Sequence, residues 1–218
     1  MTYIDPTTLW FHTPDSPTLC RGGSNGPAHP SQLYAIKKYV TSGMSFLDYG
    51  AGSGTTYEAI RNEFVEDGGF FPFVYKGLDI IPKNVDWCKE HFKLDIFEHN
   101  PSLHKIDQPD KSFDVVYSRH VVDHMESFEG AMDEHKRVAK KLVIVILWVG
   151  LSNQDEHEIK NIDYRPSGGL LYPNEYTNIF SKKKVMEYLL NDPDWELLEF
   201  NEDVGGNQVI VLRRRDAS

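Results

Sequence analysis

The sequence predicts an α/β fold built on an open, mostly parallel sheet, and three observations carry that prediction. The stretch Phe46-Leu47-Asp48-Tyr49-Gly50-Ala51-Gly52-Ser53-Gly54-Thr55-Thr56 runs from an apolar pair through an acid and three alternating glycines into a polar helix start. That is a strand turning tightly into a helix, where glycine permits positive φ and lets a ligand approach the backbone closely. The run Lys141-Leu142-Val143-Ile144-Val145-Ile146-Leu147-Trp148 is continuous, apolar and β-branched, as a strand buried on both faces should be. Around these two, strand-like runs alternate with stripes at helical spacing. In such a sheet the default ligand site is the crevice at the carboxyl ends of the strands.

Residues 1–30 break any long element with Pro6, Pro14, Pro17, Pro27 and Pro30 and with Gly22, Gly23 and Gly26. Trp10, Phe11 and His12 sit among them, which suits either a tail packed across the core or a lid over the site. From Ser31 an apolar stripe of Leu33, Tyr34, Ile36 and Val40 predicts a helix ended by Gly43. Strand one is Ser45–Tyr49, and the helix after it spans about 55–64. Val74–Ile80 reads as strand two, and its acid Asp79 sits where a carboxylate could accept ribose hydroxyls. A helix over 83–90 follows, then the short apolar run His91–Leu94 with Asp95-Ile96-Phe97, then a polar loop over 100–111.

Strand four begins in Lys111-Ser112-Phe113-Asp114-Val115-Val116-Tyr117-Ser118 and continues Arg119-His120-Val121-Val122-Asp123-His124. A helix over 128–140 shows Ala131, Met132, His135 and Val138 on one face. The stretch 151–180 is polar, irregular and long enough to be a functional loop, and it reads as a substrate lid. A helix over 182–191 and a closing hairpin, 195–200 and 208–212 across Gly205-Gly206-Asn207, complete the chain.

The glycine spacing discriminates between ligands. A dinucleotide fingerprint G-x-G-x-x-G would need a third glycine at Thr55. Instead the chain has G-x-G-x-G with an acid two residues before the first glycine. This resembles motif I of the class I S-adenosylmethionine (SAM) dependent methyltransferases, and Phe113-Asp114-Val115-Val116-Tyr117-Ser118 resembles their motif IV, in the small-molecule type. The resemblance covers about residues 31–215. It implies a Rossmann-like seven-stranded sheet of order 3-2-1-4-5-7-6 with helices on both faces, with SAM as methyl donor and S-adenosylhomocysteine as product. Carried onto this sequence, the cofactor-binding positions are Asp48, Gly50, Ala51, Gly52, Gly54, Asp79, Ile80, Asp95, Ile96, Ser118 and Arg119. Asp95 would receive the adenine amino group, with Ile96 against the ring, and Ser118, Arg119 and His120 would lie nearest the sulfonium. His120 is the candidate general base, because imidazole titrates near neutral pH, with His124 in reserve.

Other classes fit less well. The net charge of −10 disfavours a nonspecific polyanion binder. The N/D-P-P-Y/F pattern of exocyclic-amine methyltransferases is missing after strand four, which also argues against nucleic acid. Two cysteines, Cys20 and Cys88, outside any C-x-x-C pattern suggest no thiol metal site, and no metal is expected. No signal peptide or membrane-length apolar run is present, so a cytoplasmic, membrane-free protein is expected. No G-x-S-x-G elbow supports a hydrolase. The expected activity is methyl transfer to O or N of a small-molecule acceptor. A non-catalytic methyltransferase-like binding module and an NAD-dependent oxidoreductase are the alternatives.

Overall fold

The computed structural model describes residues 30–65, 70–125, 127–148, 150–162, 175–203 and 206–216. The proposed lid within 1–30, apart from Pro30, and the middle of the 151–180 stretch lie outside these residues.

The first unit is helix α1 (Pro30–Tyr39), strand β1 (Ser45–Tyr49) and helix α2 (Thr55–Phe64). Strand β2 (Val74–Asp79), helix α3 (Pro82–Phe92) and the three-residue strand β3 (Phe97–His99) follow. Strand β4 (Phe113–Arg119) runs into a short 3-10 turn (Val122–His124), helix α4 (Phe128–Val138) and strand β5 (Ala139–Leu147). Strands β6 (Glu158–Ile162) and β7 (Glu175–Ile179), helix α5 (Lys182–Leu190) and strands β8 (Trp195–Glu202) and β9 (Gln208–Arg214) end the chain.

Seven strands form one sheet in the order β3-β2-β1-β4-β5-β9-β8. Counting only its members, this is the expected 3-2-1-4-5-7-6. The β3-β2-β1-β4-β5 pairings are parallel, and β9 runs antiparallel between β5 and β8. Alternation along β5 divides the core. Val143, Val145 and Leu147 face Phe128, Met132, Val185 and Leu189 of α4 and α5. Ile144 and Ile146 face Ala35, Ile36, Ile60 and Val85 on the side of α1, α2 and α3. Both faces of the sheet are therefore covered, which explains the unbroken apolar run.

Two expectations change. The segment 151–180 is not wholly irregular: β6 and β7 pair antiparallel with Glu158 opposite Ile179 and Ile162 opposite Glu175. The side-chain Nδ2 of Asn178 donates to the carbonyl of Met125, tying this hairpin to the 3-10 turn beyond β4. Near β3, the run His91–Leu94 is the end of α3, closed by Lys93 at φ 56, and the strand starts only at Phe97. Its single buried side chain, Phe97, stacks on Phe92 and edges onto Tyr75 and Tyr57.

Candidate functional site

The carboxyl ends of β1, β2 and β4 meet around the glycine turn. The amides of Gly50 and Ala51 both donate to the carbonyl of Leu78, at 2.8 and 2.9 Å, so the turn is pinned to the end of β2. Gly50 has φ 77, and a methyl there would lie 2.2 Å from Cγ2 of Val121. Gly54, the cap of α2, has φ 72, and a methyl would lie 2.5 Å from the Phe92 ring. Conformation and close packing both demand glycine at these two positions. Ala51 is buried against the α1–α3 side of the core, and Gly52 is half-buried at the turn.

Asp79 closes the second wall. Its Oδ2 accepts from the Gly52 amide at 2.7 Å, and its Oδ1 accepts from the Ile81 amide at 2.8 Å and from Nδ2 of Asn84 at 3.1 Å. An ionised carboxylate offers about four lone-pair sites. Three are taken here, so room remains for one further donor on Oδ2 rather than for two. Burial pushes the Asp79 carboxyl up, against the pull of those three donors. Ile80 beside it is half-buried against the core.

Asp48 lies beneath the turn, 1% exposed. The hydroxyl of Tyr75 donates to its Oδ2 at 2.5 Å. Burial pushes the carboxyl up to about 7, opposed by the Tyr75 hydrogen bond and helped by the charge of Asp79. Arg119, the last residue of β4, carries its charge on the same side of the sheet. Burial lowers its affinity for the proton, while Tyr117, Asp48 and Asp203 favour the charged form. The Nε of Arg119 and the hydroxyl of Ser53 are buried and have no hydrogen-bond partner among the described residues.

Other expected positions lie elsewhere. Ser118 points through the sheet to the α4 side, where its hydroxyl and Nε2 of His135 are 2.9 Å apart. His135 donates from Nδ1 to the Ala131 carbonyl at 2.7 Å, and burial lowers its pKa to about 4, so Ser118 is the donor in the first pair. Asp95 and Ile96 precede β3. Asp79 is in register with His99, so Asp95 sits four residues back, roughly 13 Å toward the amino ends of the strands. Its side chain is 89% exposed and pairs with Lys89 at 2.8 Å. His99 and Asn100, rather than Asp95 and Ile96, stand at the carboxyl end of β3. Asn100 is buried, and its amide donates to the Asp79 carbonyl at 2.9 Å.

His120 immediately follows β4 with φ 56, the left-handed region. Its amide donates to the Ile146 carbonyl at 2.8 Å. Its Nε2 lies 3.0 Å from Oδ1 of Asn207, and its ring is 6.3 Å from that of Trp148. His124, in the 3-10 turn, is half-buried. Asn207 and Asp203, on the β8–β9 turn, are the participants that the sequence did not disclose. Only the placement of β9 beside β5 brings them to the end of β4, and no local pattern marks them. Among the described residues no group of His, Cys, Asp and Glu is arranged to hold a metal ion, and no helix is long and apolar enough to cross a membrane.

Residues 47–147 match the family model described as a methyltransferase domain. The chain has the Rossmann-like fold of the class I SAM-dependent methyltransferases. No curated protein sequence matches the chain. Among solved structures, it resembles a SAM-dependent methyltransferase from Aquifex aeolicus at 19% identity and TM-score 0.55, covering 90% of this chain and 97% of that one. It resembles magnesium protoporphyrin IX methyltransferase of Synechocystis, solved with bound SAM, at 11% identity and TM-score 0.62, covering 98% of each chain. A complex between the Haloferax volcanii Trm112 methyltransferase activator and a methyltransferase matches at 15% identity and TM-score 0.66, covering 98% of this chain and 97% of that one. SAM is the cofactor that this fold implies.

The residues present fit that cofactor. The half-buried Arg119, whose Nε–H is buried without a partner among the described residues, suits a carboxylate, and the buried carboxylate of Asp48 one strand away suits a positively charged group. Asp79 retains a site for one hydroxyl.

Proposed function

We propose that the protein transfers the methyl group of SAM to an oxygen or nitrogen atom of a small-molecule acceptor. The observation that carries this reading is the placement of Arg119 and Asp48 on one side of the sheet near the adjoining ends of β4 and β1, where each feels the other's charge. A buried guanidinium N–H without a partner costs free energy, and a ligand carboxylate there would recover it. Asp48 would answer the ligand's ammonium through the field beneath the turn rather than by direct exposure. Asp79 would take one ribose hydroxyl through Oδ2 while holding the Gly52 amide. Ile80 would lie along the base, and His99 and Asn100 would bound the adenine end.

Bound SAM supplies a methyl on a sulfonium, open to in-line displacement. The chain's part is to position the acceptor, exclude water and receive a proton. His120, at the end of β4, would be the base for a hydroxyl acceptor, and His124 lies one turn further. The β6–β7 hairpin, tied to the 3-10 turn, would cover the acceptor as a lid. The acidic charge and the Ser118-Arg119-His120-Val121 sequence at the end of β4 favour a small acceptor over nucleic acid.

The test is turnover with methyl-labelled SAM against separate panels of phenols and alcohols, amines, and carboxylates, with tRNA and protein arms in parallel. The expected result is S-adenosylhomocysteine release with a small-molecule panel, reduced about 100-fold in His120→Ala for a hydroxyl acceptor at unchanged SAM affinity. Transfer confined to the tRNA or protein arm would overturn the acceptor class. SAM binding without transfer to any arm would turn the reading toward a binding module.

A further inference from the structure

The turn between β8 and β9 is built around one carboxylate. The Asp203 amide donates to the Asn207 carbonyl at 2.9 Å, and the Asn207 amide donates back to Oδ1 of Asp203 at 2.9 Å. The side-chain nitrogen of Asn207 lies 3.0 Å from both oxygens of Asp203. Asn207 is 3% exposed and Asp203 is half-buried. Beyond it stands His120, with Nε2 3.0 Å from Oδ1 of Asn207.

The chemistry of the three groups fixes the direction of each bond. An ionised carboxylate only accepts, so the NH2 of Asn207 must face Asp203. The reverse orientation would set two oxygens against each other at the same distance. Asn207 therefore presents its oxygen to the imidazole, and Nε2 of His120 must be the donor. In the neutral ring the proton is on Nε2 and the lone pair on Nδ1.

We infer that Asp203 and Asn207 are positioning residues that hold His120 in the Nε2–H tautomer, so that Nδ1 is the nitrogen able to take a proton from the acceptor. This rests on the reading of His120 as the base. In the transfer the acceptor oxygen forms a bond to the methyl carbon, and the carbon–sulfur bond breaks with its electron pair left on sulfur. The hydroxyl proton goes to Nδ1 and then to water. The Nε2–H···Oδ1 bond persists throughout, because the imidazolium donates from both nitrogens. The carboxylate behind the amide favours that cation, as an orienting acid does in other His-based sites. The left-handed backbone at His120 is consistent with a side chain held for function rather than for local stability.

The tautomer is measurable without an acceptor. Two-bond proton–nitrogen correlation spectra of [15N]His protein, taken where the ring is neutral, distinguish a protonated ring nitrogen from a bare one. The His120 signals are identified by their loss in His120→Gln. We expect a protonated Nε2 and a bare Nδ1 in the native protein. We expect averaged shifts in Asn207→Ala and in the isosteric Asp203→Asn, whose native-like circular dichroism and cooperative unfolding certify the fold. A protonated Nδ1 in the native protein, or an unchanged single tautomer in both variants, would overturn the inference. The base reading is tested separately. With an acceptor in hand, Asp203→Asn should lower kcat about tenfold in the native background and not at all in His120→Ala. Equal losses in the two backgrounds would refute positioning through His120, whereas full activity of His120→Ala itself would refute the base.

Discussion

His120 and Asp48 both hold conformations or charges that the fold alone would not choose. A non-glycine residue in the left-handed region costs about 1 kcal/mol, and His120 has φ 56. His120→Gly, which removes the strain, should be more stable than His120→Ala, which keeps it, by about 1 kcal/mol in urea unfolding. Equal midpoints would show that the backbone is unstrained there. Asp48 makes a prediction in pH. Burial, with the charge of Asp79, raises its carboxyl to about 7 from 3.8. Between those values the folded state holds a proton that the unfolded chain has released, so stability falls as pH rises through the interval. Above about pH 7 the penalty is complete and constant. Asp48→Asn keeps the shape and an acceptor for Tyr75 but never bears the charge. Its stability relative to the native protein should therefore grow by about 2 kcal/mol between pH 5 and pH 8, while SAM affinity declines. A difference independent of pH would contradict the buried ionisation.

The elements around the site divide into those that only support the sheet and those that shape the crevice. Ser127 caps α4 by accepting from the Gly130 amide at 3.1 Å. Ser127→Ala should cost about 1 kcal/mol of stability. Gly54→Ala meets both a left-handed φ and the Phe92 ring, so it should cost about 2 kcal/mol or more and weaken SAM binding by displacing the turn. Chemical denaturation and calorimetry on the two variants would separate these effects; SAM affinity untouched by Gly54→Ala would show that the turn does not shape the cofactor site. The β1–α2 turn was legible in the sequence because one compact motif combines an apolar strand, an acid and obligatory glycines. β3 was not, because a three-residue edge strand with one buried residue leaves no period to read, and the neighbouring helix end supplied a more apolar run. The β6–β7 hairpin was hidden because its two strands pair across a polar stretch. The direction of Ser118 was not legible, because alternation along β4 sends its hydroxyl to His135, away from Arg119.

At the scale of the whole molecule, the two-sided burial of the sheet was visible in β5, and the strand order followed from the family resemblance. The contacts that depend on closure of the sheet were not visible. Asn207 is 87 residues from His120 in sequence and reaches it only because β9 returns antiparallel beside β5. The same closure brings Asp203 near Arg119, so the hairpin that ends the fold also completes the wall of the crevice beyond β4.

The central claim is that this crevice takes SAM. Calorimetric titration of the protein with SAM, S-adenosylhomocysteine and NAD in parallel, repeated with Arg119→Met, tests it most directly. The account predicts micromolar binding, about −8 kcal/mol, of both adenosyl ligands, none of NAD, and at least tenfold weaker SAM binding by the variant. Binding of NAD alone, or SAM affinity indifferent to the loss of Arg119, would contradict it.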